Sequence, residues 1–190
     1  RYWAFLIGSW CLSVGMQAAK VDTLSVHSDA MNKEVQVITI CPDKAMAGEK
    51  CPVLYLLHGY GGNAGTWLGI KPELPRIADK EGIIFVCPDG KNSWYWDSPR
   101  NSAYRYETFI SSELVKYTDE HYATIPKKGA RAISGLSMGG HGALWNAIRH
   151  SDIFGAAGSM SGGVDIRPFP DNWEMKKQLG ELAANEAVWE

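Results

Sequence analysis

Hydrophobic and polar positions along the chain sort into short runs with two different periods. Residues 21–28, VDTLSVHS, and 33–42, KEVQVITICP, read as two strands joined by a short turn. Residues 52–59, PVLYLLHG, form a continuous apolar run ending in glycine, the pattern of a central strand buried on both faces. Residues 83–90, IIFVCPDG, repeat it. Between the two, LPRIADKEG predicts a short helix closed by Gly82. In residues 106–122, YETFISSELVKYTDEHY, the apolar Phe109, Ile110, Leu114 and Val115 fall on one stripe and predict an amphipathic helix. ARAIS then predicts a third buried strand, residues 138–149 a helix, and FGAAGSMSG a further strand. From Val53 onward strand and helix alternate, which argues a mostly parallel sheet wrapped by helices, with an antiparallel hairpin leading in: the α/β class. No repeat, low-complexity tract or linker divides residues 20–190, so they read as one domain.

The first residues break this pattern. Arg1 precedes an apolar run from Tyr2 to Met16, and the small Ala18 and Ala19 come before Lys20. That is the order of a secretory signal, too short for a comfortable membrane span, so residues 1–19 are expected to be removed and the protein exported. The other reading is a buried first helix. In an oxidising compartment Cys41 and Cys51, which flank a short polar turn, could bridge; the alternative is three thiols with Cys87. Composition adds mainly exclusions. Lysine and arginine number 19 against 21 aspartates and glutamates, for a net charge of −2, and no basic run occurs. Nucleic acid and anionic membranes are therefore poor partners. The five histidines show no H-x-x-x-H or H-E-x-x-H spacing, so no metal is expected. GYGGNAG lacks the lysine and hydroxyl of a phosphate loop, and no cofactor is implied.

Candidate chemistry sits in residues 133–144, ISGLSMGGHGAL. Gly135-Leu136-Ser137-Met138-Gly139 is G-x-S-x-G between a predicted strand and a predicted helix, the context in which that motif makes a nucleophile elbow. The sharp turn strains the serine backbone, and Gly135, Gly139 and Gly140 remove bulk around it. A bland reading is a glycine-rich turn with a capping serine. Attack on an acyl carbon also needs two donors for the oxyanion: the N–H of Met138, next after the serine, and one from the loop His58-Gly59-Tyr60-Gly61-Gly62, where Tyr60 is the candidate. The bland reading is a loop that carries glycines only for tight turning. The loop KNSWYWDSPRNSAYRY opens on the same sheet edge. Its Trp94, Tyr95, Trp96 and Tyr104 could form a stacking wall for a sugar or phenolic acyl group, or could pack on the fold. Trp67, Trp145 and Trp173 are assigned to packing.

YLLHGYGGN, CPDGKNSWYWDSP and GLSMGGHGAL, in that order, resemble the putative-esterase (esterase D) family of α/β hydrolases, from about Val21 to the end of the chain. That family includes feruloyl, acetylxylan and tributyrin-type esterases, S-formylglutathione hydrolases and mycolyltransferases. The resemblance implies the α/β-hydrolase fold, Ser137 as nucleophile, and Tyr60 and Met138 at the oxyanion positions. An α/β-hydrolase triad runs Ser, then Asp or Glu, then His, yet no histidine follows His150. His141 and His150 are read as structural, and Asp165 and Asp171 lie too near Ser137 to match the family's acid. The chain is therefore expected to be incomplete at both ends, with the triad acid and histidine beyond Glu190. The function expected is an exported serine carboxylesterase acting on acetyl or feruloyl esters of plant polysaccharide, or other short-chain esters. The rivals are an acyltransferase using the same acyl-serine and a non-catalytic carbohydrate-binding relative.

Overall fold

The computed structural model describes residues 19–184 and 186–189. The expected leader lies outside these residues apart from Ala19, whose N–H donates to Asp79. One six-stranded sheet runs through the molecule in the order β1-β2-β4-β3-β5-β6. The strands are β1 (Lys20–Ser28), β2 (Lys33–Cys41), β3 (Val53–Leu57), β4 (Ile84–Pro88), β5 (Arg131–Leu136) and β6 (Ala156–Met160). β1 and β2 form the expected antiparallel hairpin, registered from Lys20 opposite Cys41 to Ser28 opposite Lys33. β2 joins β4 antiparallel, and β4, β3, β5 and β6 are mutually parallel.

Alternation along β3 explains why a continuous apolar run suits it. Val53, Tyr55 and Leu57 enter one core with Ile84, Val86 and Ile133; Leu54 and Leu56 enter another with Phe85, Cys87, Trp67 and Ala78 on the opposite face. The helix Leu74–Glu81 covers that second face and ends as expected, Gly82 adopting φ 63°. The segment expected as one amphipathic helix is helical but widened: Tyr106–Thr108 and Val115–His121 are α-helical, and Phe109–Leu114 between them is a π-helix. The wider turn brings residues five apart into line, so Phe109 with Leu114 and Ile110 with Val115 stay on the buried face.

This topology gathers the site. The chain passes from β3 outward to β4 on one side, then returns to β5 on the other side of β3. Ligand crevices of open α/β sheets form at such switch points, beyond the carboxyl ends of the strands. The loops after β3, β4, β5 and β6 all open there. Backbone strain concentrates at the same edge. Among the described residues the non-glycine positions with positive φ are Lys91, Trp94, Tyr95, Ser137, Ser161, Trp173 and Glu174 in these loops, and Asn32 in the β1–β2 turn. No described helix is long and apolar enough to cross a membrane.

Candidate active site

β5 ends at Leu136, the helix Met138–Arg149 begins two residues later, and Ser137 makes the whole turn at φ 54°, ψ −117°. A residue with a side chain pays about 1–3 kcal/mol to stay in such a region, so the surroundings must hold it there. They do so through the backbone: the Ser137 N–H donates to Met160 O at 2.8 Å, and its carbonyl accepts from the His141 N–H at 3.0 Å. Absent side chains let the turn close. A Cβ on Gly135 would stand 2.1 Å from the Gly139 carbonyl oxygen, and one on Gly139 would stand 2.2 Å from that of Leu57. The serine thus sits at the N-terminus of a 12-residue helix, whose dipole favours developing negative charge.

The loop after β3 lies directly against this turn. A Cβ on Gly59 would be 3.5 Å from Ser137 Cβ, so the following residue, Tyr60, borders the nucleophile. Tyr60 and Ser137 line one cavity of about 280 Å³. Among the described residues neither the Tyr60 nor the Met138 N–H has an acceptor, which leaves both expected donors available. A well-placed donor of this kind stabilises an acyl-transfer transition state by about 3 kcal/mol.

What holds the loop was not legible as function in the sequence. His58, 1% exposed, donates from Nδ1 to its neighbour's carbonyl, Gly59 O, at 2.7 Å, while Nε2 accepts from the Gly90 N–H at 2.9 Å. Those two partners assign the proton to Nδ1. Tyr95 donates its hydroxyl to His58 O at 3.1 Å, and Asn92 Oδ1 accepts from the Gly61 N–H at 2.9 Å. The β3 and β4 loops are therefore stitched together around Tyr60. Below them Asp89 receives the Lys91 N–H at 2.9 Å and its ammonium at 2.6 Å. Burial opposes ionisation of the Asp89 carboxyl, but the Lys91 N–H and ammonium outweigh it and hold it well below the usual carboxylate range. The signals that mark this clamp are the histidine ending the β3 run and the PDG ending the β4 run.

The expected aromatic wall is only partly where the sequence put it. Trp94 lines the Ser137 cavity. Tyr95 does not: it is fully buried, its ring filling the space a Cβ on Gly90 or Gly142 would take, and its carbonyl accepts from Asn146 Nδ2 at 3.0 Å. Trp96 is also buried and faces a neighbouring cavity of about 670 Å³ with His141 and Trp145. Tyr104 stacks edge-on against Tyr106 under the Lys33 ammonium. Conversely Trp173, assigned to packing, lines the Ser137 cavity with Phe169. Cys41, Cys51 and Cys87 are buried thiols, and burial pushes those of Cys41 and Cys87 up to about 11 and about 12.

Ser137 Oγ has no hydrogen-bond partner among the described residues, and each histidine is engaged elsewhere. His141 donates from Nδ1 to Gly163 O at 2.9 Å between Trp94, Trp96 and Trp145, and burial lowers its pKa. His150 binds Glu107 at 2.9 Å, where Arg149 and the Trp145 indole N–H also converge. His27 pairs with Glu34, and His121 with the Tyr117 carbonyl. Asp165 borders the cavity, but its carboxylate is held by Arg167 at 2.8 and 3.0 Å; Asp171 pairs with Lys176. The described residues thus bring Ser137 together with the two N–H groups expected to face it, those of Tyr60 and Met138.

A mixed, mostly parallel sheet with a strained serine between β5 and a helix, beside the loop after β3, defines the α/β-hydrolase class. Within it the chain belongs to the family described as "Putative esterase", whose model matches residues 28–190. An acetyl esterase of Caldicellulosiruptor saccharolyticus is 29% identical over 139 residues, 69% of this chain and 52% of that protein. The chain thus spans about half the length of this relative. A solved ferulic acid esterase is 31% identical with a TM-score of 0.69, covering 83% of this chain and 65% of that one. The fluorophosphonate-binding serine hydrolase F of Staphylococcus aureus shares the fold at 20% identity, TM-score 0.79, over 90% of this chain and 70% of that one.

Proposed function

We propose that the protein is an exported serine carboxylesterase that cleaves acetyl or feruloyl esters of plant polysaccharide through an acyl-serine. The observation that carries the reading is the elbow: Ser137 at φ 54° on a helix N-terminus, bordering a cavity shared with Tyr60. In this reading Ser137 Oγ attacks the ester carbonyl, and the oxyanion rests on the Tyr60 and Met138 N–H groups. The alcohol then departs, and water cleaves the acyl-serine. The general base that such a step needs is a histidine oriented by a carboxylate. The family membership and the named activities of the two esterase relatives support this reading.

Intact-mass analysis after a fluorophosphonate probe tests it, with the full-length protein beside Ser137→Ala. One adduct on the parent and none on the variant is expected. An unlabelled parent refutes the enzyme and favours the carbohydrate-binding relative. Hydrolysis of acetylated or feruloylated xylan, measured against S-formylglutathione, tests the substrate. Efficient cleavage of S-formylglutathione with xylan left untouched refutes the polysaccharide assignment. Acylated sugar among the products, with a sugar acceptor present, identifies an acyltransferase instead.

A further inference from the structure

The wall of the Ser137 cavity is built by residues the sequence reading left aside. Phe169 and Trp173 lie in the loop after β6, 47% and 43% exposed, high values for such large apolar rings. They are not loose. Their rings meet edge to face with centroids 5.8 Å apart, and Trp173 lies 6.1 Å from Trp94, which is buried at the base of the same cavity. Trp94 Nε1 donates to the Trp173 carbonyl at 3.4 Å. Trp173 also sits at φ 49°, a backbone region that bulky residues rarely adopt and that must be held by its surroundings. A strained, exposed indole beside a nucleophile is the kind of feature that persists through use rather than through core burial.

We infer that Phe169 and Trp173 are specificity-determining residues that, with Trp94, hold a flat aromatic acyl group against Ser137. This rests on the esterase reading and narrows it from acetyl to aryl-acyl esters. Volume argues for it: a cavity of about 280 Å³ is mostly empty around an acetyl group but suits a phenyl ring on a short planar chain. Charge agrees, because the carboxylate that lines the cavity, Asp165, is already paired with Arg167. Assignment to the acyl side follows from the neighbouring 670 Å³ cavity. It meets the Ser137 cavity at Asp165 and Ile166 and gives the alcohol its own space.

The test compares full-length protein with Trp173→Ala, Phe169→Ala and Trp173→Phe on methyl cinnamate, ethyl acetate and phenyl acetate. The ratio of kcat/KM for methyl cinnamate over ethyl acetate is expected to fall about ten-fold in each alanine variant, through KM, the scale of one lost stacking partner. Trp173→Phe should recover most of it. An unchanged ratio, with both esters slowed alike and a lowered melting temperature, means that the rings only pack against the rest of the chain and overturns the inference. A loss confined to phenyl acetate places the wall on the alcohol side and overturns it too. Saturation-transfer NMR of methyl cinnamate with Ser137→Ala, against the same variant carrying Trp173→Ala, reads the wall without turnover. Loss of signal in the double variant is expected, and equal signals refute the wall even if no ester is cleaved. A parent that takes no fluorophosphonate refutes the esterase reading separately.

Discussion

Adding one methyl group at Gly135 should damage both the fold and the nucleophile. An ideal Cβ there stands 2.1 Å from the carbonyl oxygen of Gly139, 2.3 Å from its carbon and 2.8 Å from its Cα. All three are backbone atoms of the first helical turn, so no side-chain rotation relieves the contact. Carbon atoms prefer separations of about 3.5–4 Å, and the end of β5 must therefore part from the helix by more than about 1 Å. The helix cannot simply retreat, since Gly139 already lies close to Leu57 O on its other side. Overpacking costs about 1–3 kcal/mol, and a backbone contact of this kind belongs at about 3. With a urea slope of about 1–3 kcal/mol per molar, the unfolding midpoint of Gly135→Ala should drop by about 1–3 M. The same shift moves Ser137 relative to the Tyr60 and Met138 N–H groups. Misplacement by about 1 Å costs about 100-fold in rate, so fluorophosphonate labelling should slow by about that factor. Urea titration followed by tryptophan fluorescence, with labelling rates measured in parallel, reads both effects. Gly129→Ala is the control: nothing lies within 4 Å of its Cβ, and its effect should stay within about 0.5 kcal/mol. A Gly135→Ala protein with the parent's midpoint and labelling rate would refute the close-approach argument.

Three further perturbations probe the surroundings. Ser137→Gly removes the nucleophile and the strain at φ 54° together, so labelling should vanish while the melting temperature rises by about 2–4 °C, read by calorimetry; a lower melting temperature would refute stored strain. Tyr95→Phe keeps the buried ring but deletes the hydroxyl bound to His58 O, and should lower stability by about 1 kcal/mol in urea titration and slow labelling a few-fold. Asp89 is held below the ordinary carboxylate range, so the stability it contributes is present above the unfolded-state pKa of about 4 and is lost as pH falls toward the lower folded value. Asp89→Asn should therefore be destabilised relative to the parent at pH 7, with the gap closing between about pH 5 and pH 2 in melts across that range; a gap that stays constant with pH would contradict the depressed pKa.

Most of the framework was legible in the sequence because its signals are local. Period and apolar runs located all six strands and the helix at Met138–Arg149, and glycines around Ser137 marked the tight turn between β5 and that helix. The widened Phe109–Leu114 turn was not legible, since the same stripe of apolar residues satisfies α and π winding until the segment is laid on the sheet. The aromatic loop misled for a related reason. Tyr95 is consumed by the spaces that Gly90 and Gly142 leave, and Trp96 faces the neighbouring cavity beside His141 and Trp145; Gly142, His141 and Trp145 are remote in sequence. The sequence by itself determined the strand pattern and the sharp turn at Ser137, because each depends on residues a few positions apart. Only the tertiary structure decided which aromatic rings face Ser137, and that His58 with Tyr95 and Asn92 holds the oxyanion loop. Burial of a loop side chain is settled by what distant segments leave unfilled, and no local pattern records that.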